Sequence, residues 1–541
     1  MTWWRDAVVY QVYVRSFADS DGDGTGDLTG LTDRLDYLER LGADGLWLNP
    51  CYPSGGADGG YDVADYLDID AEYGGLPALD ALLARAHERG LRVLMDLVPN
   101  HCSVRHPWFV AALEAGPGSP ERKRFIFRAG RSGGVEPPNN WRSAFGGPAW
   151  TRVDGTEQWY LHSFDPGQPD FNWRNPEVPG YFEKVLRFWF DRGIDGFRID
   201  VAQMLVKHAD LPDWPDLGVY NAHAQNQPEV HDVFRTWRRI ADSYARNLTL
   251  VGEVWVPTAA DLAAYLRPDE LSQAFYFDLL LKPWDAAGFR SSVDEGLADI
   301  GATGAAVTWT LANHDVHRTV TRFGLTAWEP TRSADPVTPA RRRGPVDIAR
   351  GTRRARAALL FLLGLPGSVY LYQGEELGLP EVQDLPDESR KDPIWFRSGG
   401  TEYGRDGCRV PLPWSAGQPA FGFSPTGRSW LPQPSSFDGY AADRQWSTRD
   451  STLRLHVDAI ALRRTFRDRL VGTVLHWLPL PERPDVLAYR RGDLVCVTVF
   501  GEQPFELPAW WGRIMLSSAP VIGAGALPGE SAAWLSTEGT D

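Results

Sequence analysis

Eight short apolar, β-branched runs recur along this chain, separated by longer segments of helical period, and that alternation restricts the fold more than any other feature. Strands that alternate with helices build βα units, and such units assemble a parallel sheet. The runs fall at residues 8–14, 45–48, 91–97, 194–199, 248–252, 273–277, 307–311 and 368–372. Helical periodicity occupies the intervals, as at residues 79–89, 178–190, 230–245 and 352–363. Eight strands with helical crossovers predict an α/β fold, a (β/α)8 barrel.

At 541 residues the chain exceeds the size at which one hydrophobic core keeps growing, so smaller modules are expected beside the barrel. The barrel is assigned to residues 1–99 and 173–467. Residues 100–172, rich in Gly, Pro, Asn and Trp, read as an inserted loop-rich subdomain after strand 3, overhanging the barrel mouth. A second irregular insertion, residues 378–445, follows strand 8 and is placed as a wall of the site. Beyond a last helix near 453–467, short alternating strands at 474–478, 486–489, 494–500 and 532–535 predict a C-terminal antiparallel β-sandwich over 468–541. Arg341, Arg342 and Arg343 with Arg353, Arg354 and Arg356 read as a solvated loop and helix face.

Charge narrows the partners. With 55 Lys+Arg against 71 Asp+Glu, a net charge of −16 argues against nucleic acid or an anionic membrane. The 23 tryptophans suit the flat apolar faces of neutral sugars. No apolar run is long enough to span a membrane, and residues 1–6 have no basic segment leading into an apolar one. Four scattered cysteines form no disulfide framework, so a reducing cytoplasm is expected.

Barrel enzymes place their chemistry at the carboxyl ends of the strands, and acids fall there. Asp200 ends the fourth strand, Glu253 follows the fifth, and Asp315 follows the seventh in Asn313-His314-Asp315. Arg198 and Asp200, two apart on a strand, project from the same face. A guanidinium beside Asp200 is expected to lower its pKa and keep it ionised; a plain structural ion pair is the other reading. Glu253 precedes Val254 and Trp255, an apolar setting that favours a protonated acid. One ionised and one protonated carboxyl are what acetal hydrolysis requires.

The segments 96–101, 196–200, 252–255 and 313–315 resemble, in order, the four signature regions of the α-amylase family of glycoside hydrolases. The resemblance implies Asp200 as nucleophile, Glu253 as general acid/base and Asp315 as transition-state stabiliser, with retention of configuration. It implies that His101, Arg198 and His314 bind the reacting sugar, with Tyr61 as its aromatic platform and Asp62 on its distal hydroxyls. Arg409 resembles the arginine that pairs with Asp62 in exo-acting members. Gln168-Pro169-Asp170-Phe171-Asn172 resembles the marker of the α-glucosidase and oligo-1,6-glucosidase branch, and residues 57–66 and 373–376 look closest to actinobacterial-type α-glucosidases. The expected substrate is a small neutral oligosaccharide of maltose or isomaltose type, cut from its non-reducing end, with transglucosylation open. Val201 resembles the valine of α-1,6-preferring relatives, or simply closes a strand. Phe164 either caps the sugar or packs.

Asp19, Asp21, Asp23 and Asp27 alternate with glycines in a way that suits a hard cation, or else cap a turn. The resemblance makes this a structural Ca2+ site, with the Thr25 carbonyl as a further ligand; no organic cofactor is expected. His314 and His317, or His101 and His106, lack the further ligands of a zinc site. Two other readings stay open: an isomerase or transferase of the same family, though the charged loop of sucrose isomerases is not evident around residues 322–329, and a non-catalytic interaction subunit, which would have lost its acids.

Overall fold

A computed structural model describes residues 2–215, 220–325, 345–470, 472–523 and 525–537. The Arg341–Arg343 run and residues 326–329 of the 322–329 segment lie outside them. Eight parallel strands, β1 (Val8–Val12), β2 (Gly45–Leu48), β3 (Arg92–Leu97), β4 (Gly196–Ile199), β5 (Thr249–Gly252), β6 (Gln273–Ala274), β7 (Thr308–Thr310) and β8 (Ser368–Tyr372), form one sheet in the order β7-β8-β1-β2-β3-β4-β5-β6. A parallel bridge from Phe275 to Thr308 joins β6 to β7 and closes the barrel. Nearly every strand residue is buried, as expected of a sheet covered on both faces.

The alternation along each strand builds the barrel in layers. Val9, Trp47, Leu94 and Val251 point inward and form an apolar plug with Phe275 and Tyr370. Two residues further along each strand, the inward positions become Gln11, Asn49, Asp96 and Glu253, all polar and buried. The polar layer therefore floors a site at the carboxyl end, above the apolar plug.

Six of the eight strands are shorter than the sequence suggests, and for β1 and β6 the cause is plain. β1 stops at Val12, because Tyr13 N turns to Gln373 Oε1 (2.8 Å) and Val14–Ser16 winds into a 3-10 turn. β6 ends at Ala274, and Phe277–Leu281 is a helix. The insertion after β3 is more ordered than a loop: Phe127–Ala129, Gln158–Leu161 and Trp150–Arg152 make a three-stranded antiparallel sheet. The bridge His101–Asp170 draws the two ends of the insertion together, and Phe125–Phe171 ties its interior to the second end.

The tail is a five-stranded antiparallel sheet faced by a two-stranded ribbon, Phe505–Glu506 with Ala526–Leu527. Its other face docks on helix Ile348–Gly364, where Tyr489 Oη and Trp534 Nε1 donate to the carbonyls of Phe361 (2.6 Å) and Leu360 (2.9 Å). The basic face read as solvated is instead part of this contact. Arg350, Arg353 and Arg354 converge on Glu530 at 2.6, 2.8 and 2.7 Å, and Arg356 Nε donates to Ser518 O.

Candidate active site

Arg198 sits at the centre of the polar layer, 1% exposed. Its Nη1 donates to Asp96 Oδ1 and Asp200 Oδ1, both at 2.8 Å, and its Nη2 donates to Glu253 Oε2 at 2.5 Å. Three strands, β3, β4 and β5, thus bring three carboxyls to one guanidinium. Glu253 also accepts from Val201 N (3.1 Å) and Trp255 Nε1 (2.8 Å), and Trp255 stacks on Phe277 at 4.1 Å.

One cation among three buried acids cannot neutralise them all. Burial, with Glu253 and Asp96 nearby, holds Asp200 well above the usual carboxylate range despite Arg198, and Asp96 is raised by burial to about 6. The expected lowering of Asp200 by Arg198 is therefore corrected: Arg198 is shared among three carboxyls, and burial outweighs it.

Asp315 is the opposite case. Burial disfavours its charge, but His314, Arg405, Arg409 and Arg198 together hold it far below the usual range. Arg405 Nη1 (3.0 Å) and Arg409 Nη2 (2.9 Å) both reach Asp315 Oδ1. Gln11 Nε2 lies 2.8 Å from His314 Nδ1, which leaves the His314 Nε2 proton facing Asp315 Oδ2 at 3.2 Å. Burial keeps His314 neutral.

Tyr61 fills the space between these groups. Its hydroxyl donates to Asp96 Oδ2 (2.8 Å), and its ring stacks on His314 at 5.3 Å and 7°. His101, pushed down to about 4 by burial, lies 3.0 Å from Tyr61 O through Nε2, with Phe164 across its ring at 5.1 Å. Phe164 joins Phe145, Val201 and Ile394 in an apolar wall contributed by the inserted subdomain, the β4 loop and the insertion after β8. Val201 holds φ at +35°, a strained value for a β-branched residue, directly after Asp200.

The expected pair of Asp62 with Arg409 does not form. Asp62 is enclosed, accepting from Ser54 Oγ (2.7 Å), Ser103 Oγ (3.3 Å) and Asp58 N (3.3 Å), so it braces its own loop. Arg409 donates to His314 O and Asp315. The bridge is made by Asp58 and Arg405 instead, Oδ1 to Nη2 at 2.7 Å. Asp392 backs Arg405, its Oδ2 2.6 Å from Nε. The turn that aims Asp58 uses Gly59 and Gly60 at φ +54° and +103°; a Cβ on Gly59 would sit 2.8 Å from Tyr13 Oη. Asp58, Arg405, Asp392 and Phe145 were not singled out, although both members of the bridge stand four residues before the residues that were.

In the loop after β1, Asp19, Asp21 and Asp27 each bring an oxygen within 4.8 Å of the others. Asp19 is fixed by Gly22 N and Gly24 N, and Asp27 caps helix Leu28–Asp33. The set is all hard oxygen and triply negative, which fits a divalent cation such as Ca2+. Asp23 turns instead to Thr25 N at 2.7 Å, and so stands outside this trio. Among the described residues no histidine or cysteine cluster assembles, and the four cysteines are buried and unpaired. No described helix is long and apolar enough to cross a membrane.

Residues 11–471 match the family model described as "Alpha amylase, catalytic domain". The chain belongs to the α-amylase family. Oligo-1,6-glucosidase of Parageobacillus thermoglucosidasius is 33% identical over 548 residues, covering 94% of this chain and 92% of that one. Among solved structures, the α-glucosyl transfer enzyme XgtA superposes with a TM-score of 0.84 at 34% identity, covering 99% of both chains. Trehalulose synthase MutB of Pseudomonas mesoacidophila MX-45 gives 0.84 at 29% identity, covering 98% of both. This α-amylase family member is a glycoside hydrolase with the (β/α)8 barrel and antiparallel C-terminal domain of its relatives.

Proposed function

We propose that this chain is an exo-acting, retaining α-glucosidase that releases glucose from the non-reducing end of short α-linked glucosides. The observation that carries this reading is the Asp58–Arg405 bridge beside Asp315, which supports a pocket closed behind one terminal sugar. Asp200 is the nucleophile, Glu253 the acid/base and Asp315 the stabiliser of the positive charge that develops at the anomeric carbon.

In the first step Glu253, as general acid, gives a proton to the glycosidic oxygen as the C–O bond breaks, while the Asp200 carboxylate forms the bond to the anomeric carbon. Glu253 then removes a proton from water, whose oxygen displaces Asp200 and yields α-glucose. Asp315, kept ionised by two arginines, attracts the oxocarbenium-like centre. Tyr61, His101, Phe164, Arg198, His314 and Arg409 position the sugar and the acids, and neutral His314 adds no charge that would oppose the transition state.

Transfer to a second sugar is the competing fate of the glucosyl-enzyme. The apolar wall of Phe145, Phe164, Val201 and Ile394 favours it by offering an acceptor a dry face. The relatives act on α-1,6 bonds, transfer α-glucosyl groups or bear the name trehalulose synthase, and we place this chain with the glucosidases, with an α-1,6 preference carried by Val201. Incubation with maltose, isomaltose, sucrose and trehalose, with products resolved over time, tests the assignment. Free glucose from isomaltose or maltose supports it; isomers accumulating without glucose refute it. The loop of Asp19, Asp21 and Asp27 holds a structural Ca2+, remote from the chemistry.

A further inference from the structure

On the face of the barrel opposite the acids, a half-open cavity of about 900 Å3 lies between the amino-terminal ends of the strands and the C-terminal domain. Arg5 and Asp6 precede β1, Asp44 precedes β2, Arg92 opens β3, and Gly367 precedes β8; Arg463, Arg467 and Arg491 line the opposite wall. Barrel active sites do not use this face, so its charges have no part in the glycosidic chemistry.

Those charges are unbalanced. The lining holds five arginines against two aspartates, in a chain whose net charge is −16. Both aspartates are already paired with Arg467, Asp6 at 3.1 Å and Asp44 at 3.0 Å. Arg463 and Arg491 are each only 7% exposed. Arg463 donates to carbonyls of Leu363, Leu365, Gly367 and Asp6. Arg491 donates to those of Gly364 (2.9 Å) and Leu470 (3.2 Å), and its buried Nε has no partner. Among the described residues neither guanidinium meets a carboxylate. Burial and the neighbouring cations push Arg463 down to about 10. Two buried cations whose nearest acids, Asp6 and Asp44, are already paired with Arg467 are under-compensated, and an anion in the cavity would offset that cost.

Much of the remaining lining is apolar, including Trp3, Leu297, Pro366 and Leu475. A purely inorganic ion would leave that surface and most of the volume unused. We propose that this cavity is a second ligand site, remote from the catalytic acids, for a sugar-sized phosphate ester whose dianion faces the Arg463 and Arg491 wall.

Calorimetry on the intact protein tests this, with glucose 6-phosphate and inorganic phosphate as separate probes and with glucose present to fill the catalytic pocket. Val474→Glu places an acid on the cavity lip at a residue 66% exposed, where misfolding is not expected, and Arg491→Gln removes one buried cation. The expected result is saturable binding of the ester, tighter than inorganic phosphate. Val474→Glu, and Arg491→Gln if it folds, should weaken it about tenfold, the size of one charge-assisted contact. Turnover should be unchanged in Val474→Glu. No saturable binding at millimolar ester, equal binding of both probes, or ester affinity unaffected by Val474→Glu would each overturn the proposal.

Discussion

Replacing Asp392 by asparagine asks whether the guanidinium of Arg405 must be held from behind for the site to work. Asp392 Oδ2 accepts from Arg405 N at 2.8 Å and from its Nε at 2.6 Å, while Oδ1 accepts from Ile394 N at 2.8 Å. An asparagine that keeps the Ile394 bond turns its amide nitrogen toward Arg405, donor against donor. A hydrogen bond to a charged group contributes about 1.5–3 kcal/mol, and breaking a buried ion pair costs about 3–5 kcal/mol. Arg405 keeps Asp58 and Asp315, so the site should lose the smaller amount, about 2–3 kcal/mol. At about 1.4 kcal/mol per tenfold, kcat/KM should fall about 30- to 140-fold. Because Arg405 touches both the Asp58 end and Asp315, KM should rise and kcat should fall together, a split that a general loss of stability would not give. Steady-state kinetics on isomaltose, with a thermal melt to show folding, is the assay. A folded variant within about threefold of wild type in kcat/KM would refute the positioning role.

Val201→Thr should move the ratio of kcat/KM for isomaltose over maltose toward maltose, read by glucose release from each disaccharide; an unchanged ratio would remove Val201 from linkage choice. Chelation of divalent ions should lower Tm while leaving turnover nearly intact below the melt, and Ca2+ at a hundred times its Kd should restore about 2.7 kcal/mol, an effect absent in Asp21→Asn. Glu381, raised by burial to about 7, stays protonated in the folded chain at pH values where the unfolded chain has released its proton. Stability should therefore fall as pH rises from about 4.3 toward 7, and denaturation of Glu381→Gln should show a flatter profile over that window.

How much of this was legible in the sequence depended on how local the determinant was. β2 and β8 could be read to the residue, because a strand buried on both faces is a continuous apolar run. The pairing of Arg198 with Asp200 was also legible, since two residues on one strand need only the pleat to meet. What the pair does was not: burial, together with Asp96 and Glu253 arriving from β3 and β5 to share Arg198, turns the expected lowering of Asp200 into a rise. Asp58 and Asp62 share a loop, as Arg405 and Arg409 share another, and which pair bridges depends on the loop's turn at Gly59 and Gly60 and on the partners that hold Asp62 and Arg405. The arginines of helix Ile348–Gly364 looked solvated because their partner, Glu530, comes from the far end of the chain.

The central claim, a covalent glucosyl ester on Asp200 with Glu253 as acid/base, can be read directly by peptide mass spectrometry. In Glu253→Gln, a glucoside whose leaving group needs no proton should load the enzyme faster than water unloads it. A single hexosyl adduct on the peptide carrying Asp200, absent in Glu253→Gln/Asp200→Asn, is the predicted result. An adduct on the peptide carrying Asp315, or release of the leaving group with no adduct on any peptide, would contradict it.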